Sequence, residues 1–232
     1  MIPDNLEFIT ERIAAAARRA NRPPADIKLV AVSKHIPYEN VLEAIENGQD
    51  TFGENYVQEA QKKIPLILQN KAAQKCVFHF IGRLQSNKAK KAAELFDAIE
   101  TVDSIKLAKT LEKHLVSRNK PMAGYLQINI GREKQKGGIM PENCQRILQE
   151  LSDLQYLRIV GLMAMPPFFS DSEKVRPFFR ELRQLADSMT AKGLLGKHGP
   201  VQLSMGMSGD FETAIEEGAT VVRIGTAIFG RR

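Results

Sequence analysis

Three groups in this chain have the type and spacing to do chemistry. Lys34 closes the apolar run IKLVAVSK at 27 to 34. A lysine amine there either stays solvated and protonated or, partly desolvated beside another cation, becomes a free nucleophile toward a carbonyl. The segment SMGMSGD at 204 to 210 places Ser204, Gly206, Ser208 and Gly209 ahead of a helical pattern. Small residues and hydroxyls at that point either form an ordinary helix cap or leave backbone N–H groups free to surround an anion. Arg223 interrupts the apolar run VVRIGT and is followed at once by Gly225 and Thr226, which offer a side-chain-free approach, backbone donors and a hydroxyl. A guanidinium in such a run needs a permanent acceptor, either a structural ion pair or a bound ligand.

The elements that must position these groups alternate along the chain. Leu6, Ile9, Ile13, Ala16 and Ala20 recur at helical spacing, with Asp4 and Glu7 as cap candidates and Pro23-Pro24 as a stop. Strand-like runs follow at 27–34, 51–55, 75–82, 98–102, 123–130, 157–165, 201–206 and 221–230. Between them, helical patterns occupy 38–47, 56–69, 87–96, 104–118, 141–154, 172–192 and 209–217. Strict alternation predicts a parallel sheet with crossover helices. With the first helix filling the slot beside the last strand, strands and helices match in number, the pattern of an α/β (β/α)8 TIM-type barrel whose outer ring the N-terminal helix completes. Such a barrel takes about 250 residues, so residues 1–232 are expected to form one domain. A doubly wound open sheet would carry a G-x-G-x-x-G turn after an early strand, and none is present.

A barrel of this kind carries its active site at the C-terminal ends of its strands, with phosphate held by the loops after strands seven and eight. Lys34, the 204–210 loop and Gly225-Thr226 all fall on that rim. Period-two alternation places Val30, Val32 and Lys34 on one face and Val221, Arg223 and Gly225 on one face, but leaves open whether Arg223 points into the barrel or out among the helices. A reactive amine, a phosphate cradle and an interior cation together describe pyridoxal 5′-phosphate (PLP), whose aldehyde and phosphate lie at opposite ends of one ring.

The chain resembles the YggS-type pyridoxal phosphate homeostasis proteins, relatives of the alanine racemase barrel domain. The resemblance spans essentially its whole length, through AVSKHIP at 31–37, FGENYVQE at 52–59, HFIGRLQSNK at 79–88, GLMAM at 161–165 and SMGMSGDFETAIEEGATVVRIGTAIFG at 204–230. It implies that Lys34 holds PLP as an aldimine, that Ser208, Gly225 and Thr226 bind the phosphate, and that Arg223 faces the pyridine nitrogen, where a cation disfavours protonation and weakens the ring as an electron sink. Asn55 is a candidate hydrogen-bond partner of the ring or phosphate, or a turn residue, and His79 is expected to pack in the interior. The implied role is a carrier in intracellular vitamin B6 homeostasis, without turnover. The partners are then PLP and other B6 vitamers, with apo PLP-dependent enzymes as candidate recipients, and the chain is expected to act as a monomer.

The enzymatic alternative is a weak racemase-like PLP activity. Two-sided proton transfer at Cα needs groups on both faces; only Lys34 is evident, and no second domain after Arg232 is expected to bring the tyrosine that alanine racemases use. Arg83 and Lys88, together with Arg132, Lys134 and Lys136 beside Gly137-Gly138, make two rim loops basic, either to guide a second phosphorylated vitamer or as a solvated surface.

Composition narrows the remaining classes. Lys and Arg outnumber Asp and Glu by 33 to 27, a formal charge of +6, without an aromatic platform or a recognised nucleic-acid module, so nucleic acid is not an expected partner. The longest stretches free of charge, such as 159–170, fall short of the roughly 18 to 20 residues that span a bilayer. Asp4, Glu7, Glu11 and Arg12 break any apolar leader, which makes a cytoplasmic location the expectation. Cys76 and Cys144 have neither disulfide-scaffold nor zinc spacing, so no metal is expected.

Overall fold

The computed structural model describes residues 1–230. Eight short strands, β1 (Lys28–Val32), β2 (Thr51–Glu54), β3 (Val77–Phe80), β4 (Ala98–Val102), β5 (Met122–Ile128), β6 (Leu157–Ala164), β7 (Gln202–Ser204) and β8 (Val221–Ile224), pair in parallel and in sequence order into a closed barrel. The ring closes between β8 and β1, where Val30 pairs with Arg223 and Ala31 with Ile224. Closure removes every free sheet edge, which an open parallel sheet would have to cover.

Nine α-helices are present among the described residues: α1 (Ile2–Arg19), α2 (Tyr38–Glu46), α3 (Val57–Ile67), α4 (Ala89–Leu95), α5 (Ile105–Arg118), α6 (Cys144–Glu150), α7 (Arg176–Ala191), α8 (Phe211–Glu216) and the single turn α9 (Thr226–Phe229). None is long and apolar enough to cross a membrane. The expected first helix completes the ring: Ile2, Leu6, Ile9, Ile13, Ala16 and Ala17 are buried along one stripe of α1. Each such Ile or Leu contributes about 1.5–3 kcal/mol. Polar contacts fix its height, with Asn5 Nδ2 donating to Ile228 O at 2.8 Å, Arg12 paired with Glu212 at 2.6 Å and Arg22 donating to Ala219 O at 2.7 Å.

Two apolar layers follow from strand alternation. Val30, Ala98, Tyr125, Met163 and Val221 fill the barrel interior, while Phe52, Ile99, Leu126, Leu162, Val222 and Ile224 join the layer between strands and helices. Arg223 shares the parity of Val221 and therefore points inward, which settles the direction that alternation alone left open.

Some expected boundaries are corrected. The last strand, expected to run to 230, ends at Ile224. Gly225 O then accepts from the N–H groups of Ile228 and Phe229, so the apolar tail is a helical turn. Helix α1 begins at Ile2, so Asp4 is its third residue and caps it from inside, its carboxylate accepting from the Met1 amine at 3.3 Å. The helices expected to open at 87, 141 and 172 each begin as a 3-10 turn, Ser86–Lys88, Pro141–Asn143 and Ser172–Lys174. The one expected from 209 starts at Phe211.

Candidate functional site at the barrel rim

Lys34 stands two residues past β1, half-buried, above Val30 and Val32. It makes no hydrogen bond or ion pair with any described side chain, so its amine is available. The backbone around it is a turn closed by Ile36 N–H donating to Ser33 O at 3.0 Å, with His35 at φ 59°.

The loop after β7 and the turn after β8 meet on the same rim. Thr226 Oγ1 lies 3.3 Å from Ser208 Oγ, which brings two of the expected phosphate hydroxyls together. Gly225 belongs to the same place: a Cβ there would stand 3.2 Å from both Cβ and O of Val32, so the absent side chain lets the β8 turn lie against β1 just below Lys34. Asp210 shapes the loop by accepting from Met207 N–H at 2.6 Å. Burial raises its pKa, against the opposing influence of that hydrogen bond and of Arg223.

Arg223 is buried beneath these groups, in the barrel interior. Nη2 donates to Ala164 O at 2.9 Å, Nη1 donates to Ser204 Oγ, and Nη1 lies 3.6 Å from Glu100 Oε2. Ser204 Oγ in turn donates to Glu100 Oε2 at 2.6 Å, while His79 Nδ1 meets Glu100 Oε1 at 2.6 Å. Burial pulls the Arg223 pKa down, and the charge of Glu100 opposes it. For Glu100, burial pushes upward, but the hydrogen bonds from His79 and Ser204 and the charges of His79 and Arg223 prevail and hold its carboxyl below the ordinary range.

Two expectations change here. Ser204 is the last residue of β7 and fastens Arg223 in the interior, so it is not part of the anion loop. His79 is buried as expected, yet it is a polar partner of Glu100 and not only a packing residue. Glu100 itself was missed. Its signal was a carboxylate in the apolar strand AIETV, the counterpart of the arginine in VVRIGT.

Asn55 follows β2 and is half-buried; its Oδ1 is enclosed and has no hydrogen-bond partner. No hydrogen bond joins it to Ser208 or Thr226. It lines instead an open cleft of about 570 Å³ with Arg83, Gln85, Lys88 and Asp103. A second cleft of about 350 Å³ shares Arg83 and Asp103 and is continued by Gln127, Met165, Phe168 and Met207.

The basic loops are less free than the sequence suggested. Arg132 pairs with Glu181 at 2.7 Å, and Lys136 pairs with Glu133 at 2.6 Å while donating to Pro166 O at 3.0 Å. The Gly137-Gly138 pair is not a loose hinge. Ile139 bridges to β5 through Asn129 N–H and Gln127 O, and Gly138, at φ 117°, lies so close that a Cβ would be 2.9 Å from Asn129 N.

Residues 5–232 match the family described as alanine racemase, N-terminal domain. The pyridoxal phosphate homeostasis protein of Escherichia coli (strain K12) is 42% identical over 232 residues, covering 100% of this chain and 97% of that protein. The structure of PipY from Synechococcus elongatus PCC7942, with PLP bound, superposes with a TM-score of 0.81 at 36% identity, covering 96% of this chain and 100% of that one. An alanine racemase of Clostridium difficile 630 superposes with a TM-score of 0.72 at 17% identity, over 99% of this chain and 60% of the racemase, a likeness of fold.

Proposed function

The chain belongs to the alanine racemase N-terminal domain family, among its pyridoxal phosphate homeostasis proteins, and on that premise we propose that it binds PLP at the barrel rim and serves as a carrier of the cofactor. The observation that carries this reading is that the unpaired, half-buried Lys34 and the Ser208–Thr226 hydroxyl pair lie on the same barrel rim, with Gly225 packed against Val32 of β1. The residues fit the group. An amine stands on the rim, two hydroxyls and the start of a helical turn stand on the same rim, and a fixed cation lies below.

PLP supplies an aldehyde that condenses with amines and a ring that delocalises electrons. Lys34 offers Nζ to the aldehyde. Ser208 and Thr226 donate hydroxyl protons to phosphate oxygens, and the backbone after Gly225 adds N–H groups aimed at the same anion. Arg223 presents N–H groups toward the ring nitrogen. Locked by Ser204, Ala164 O and Glu100, it keeps its own protons, so it cannot serve as an acid. Tyr125, the tyrosine of the barrel interior, donates to Gln202 Oε1, and burial holds its pKa well above the ordinary phenol value. It therefore cannot take the part of a second acid/base opposite Lys34. This set of groups supports retention and release of cofactor, without turnover.

An absorbance spectrum of purified protein supplied with PLP, before and after borohydride, tests the reading beside a Lys34→Ala variant. The expected result is a visible band removed by borohydride, with a pyridoxyl mass on the Lys34 peptide. No uptake, or a label elsewhere than Lys34, would overturn it.

A further inference from the structure

On the side of β1 and β2 away from the barrel interior lies a buried cluster that the cofactor groups do not touch. Lys63, on α3, is 7% exposed and Glu54, at the end of β2, is 1% exposed. Lys63 Nζ lies 2.7 Å from Glu54 Oε1 and 2.8 Å from Glu59 Oε1. The same nitrogen reaches Ser33 O at 2.7 Å and Ile36 O at 3.3 Å. Four acceptors face an ammonium with three protons, so its rotation is arrested.

The two carbonyls are the ends of the turn that holds Lys34. Ser33 and Ile36 are already joined by the Ile36 N–H to Ser33 O bond, and Lys63 ties both ends to α3. Between them, His35 is in the left-handed region that a residue with a side chain seldom adopts. Glu59 holds it there, accepting from His35 N–H at 2.6 Å through Oε1 and facing His35 Nδ1 at 3.4 Å through Oε2. Ser33 Oγ adds a bond to Glu54 Oε1 at 2.7 Å. The backbone is thus fixed on both sides of Lys34, while the Lys34 side chain is left free.

A buried ammonium is an expensive means of bracing a turn, because it must leave water and be matched by carboxylates. What the arrangement delivers is directional. A long, flexible amine reaches a carbonyl carbon productively only if its Cα is held in place. We propose that Lys63 is a positioning residue that, with Glu54 and Glu59, sets the line of approach of Lys34 Nζ to an aldehyde held at the rim. The inference rests on the PLP reading above.

The test separates condensation from binding. PLP condenses with Lys34 by forming a C=N bond between Nζ and the aldehyde carbon, the aldehyde oxygen leaving as water; its rate is followed by borohydride trapping and the mass of the Lys34 peptide. Pyridoxine 5′-phosphate keeps the ring and phosphate but carries an alcohol, so its affinity reports the cradle alone. In Lys63→Met, trapping slows about tenfold or more while pyridoxine 5′-phosphate affinity stays within about twofold. Glu59→Gln, at a partly exposed position that folding tolerates better, slows trapping to a smaller extent and speeds hydrogen exchange at the His35 amide. Equal loss of trapping and of pyridoxine 5′-phosphate binding would reduce Lys63 to a folding residue and overturn the inference, as would unchanged trapping in both variants. Should Lys63→Met fail to fold, Glu59→Gln decides alone. If the unaltered protein takes up no PLP on Lys34, the functional reading itself fails and the inference falls with it.

Discussion

Arg223 on β8 and Glu100 on β4 are partners in the barrel interior, their Nη1 and Oε2 atoms 3.6 Å apart with the Ser204 hydroxyl bonded to both. The carboxylate also meets His79 through its other oxygen. The network ties β3, β4, β7 and β8 together below the rim. It explains how a guanidinium can sit in the barrel interior without a ligand: its acceptors are built in.

Replacing Glu100 by Gln leaves that guanidinium buried without its counter-charge, and the expected loss is about 3–5 kcal/mol of unfolding free energy at neutral pH. The pH dependence has a definite sign. The folded-state pKa of Glu100 lies below its ordinary value, so its contribution is complete above the ordinary carboxylate range and fades as pH falls through the folded value. Urea unfolding of the native and Glu100→Gln proteins from neutral to strongly acidic pH checks this: the gap between them should close only at the acid end. A gap that is absent at neutral pH would mean that Arg223 is satisfied without Glu100.

The cradle makes a separate prediction. A hydrogen bond to a charged group contributes about 1.5–3 kcal/mol, so Ser208→Ala and Thr226→Val should each weaken PLP binding by roughly tenfold to 150-fold. Spectroscopic titration measures it, and Lys34 should still become labelled at saturating cofactor. Since the two hydroxyls lie 3.3 Å apart and would share one anion, the double variant should depart from the sum of the single effects. Unchanged affinity in both would move the phosphate elsewhere on the rim.

Much of this was legible because barrel chemistry is a matter of order and parity. The alternation of apolar runs with amphipathic helices names the fold, and the fold puts Lys34, Ser208, Gly225 and Thr226 on one rim. Parity groups residues by face but does not say which face is inside, so the inward direction of Arg223 follows only from the place of Val221 in the interior cluster. Ser204 was misplaced because nothing local marks where β7 stops and its loop begins. Lys63 was invisible for a further reason. It lies beside the Val57, Ala60, Ile64 and Ile67 stripe of α3, where a lysine ordinarily reaches water, and its partners come from β2 and from the turn after β1.

Gly82 offers a sharper steric test of the Asn55 position. A Cβ at residue 82 would lie 2.2 Å from Asn55 O, a backbone atom that cannot swing aside. Gly82→Ala should therefore displace the turn after β2, destabilise the protein by about 1–3 kcal/mol as overpacking does, and perturb the environment of Asn55. Thermal unfolding gives the first effect. Comparison of PLP affinity in Gly82→Ala and Asn55→Ala gives the second, since one displaces the Asn55 backbone and the other removes its side chain. Equal stability of the alanine variant and the native protein would show that the two loops separate more readily than their spacing implies.

The last expectation concerns turnover. Removing a proton from Cα of a bound amino acid requires a base on one face, and returning it from the other requires an acid there. Lys34 supplies one. Tyr125 is withdrawn by its bond to Gln202 and by burial, and Arg223 cannot give up a proton. If Arg223 faces the ring nitrogen, as proposed, its guanidinium would further disfavour the charge build-up on the ring that deprotonation at Cα demands. The loaded protein should release cofactor to competing amines without inverting Cα of L-alanine, L-serine or L-glutamate. Chiral separation with mass spectrometry after prolonged incubation in deuterium oxide reads this directly. Exchange with inversion would require a second acid/base among the rim residues, and Asp103 and Lys136, which flank the smaller cleft, would be the first to replace.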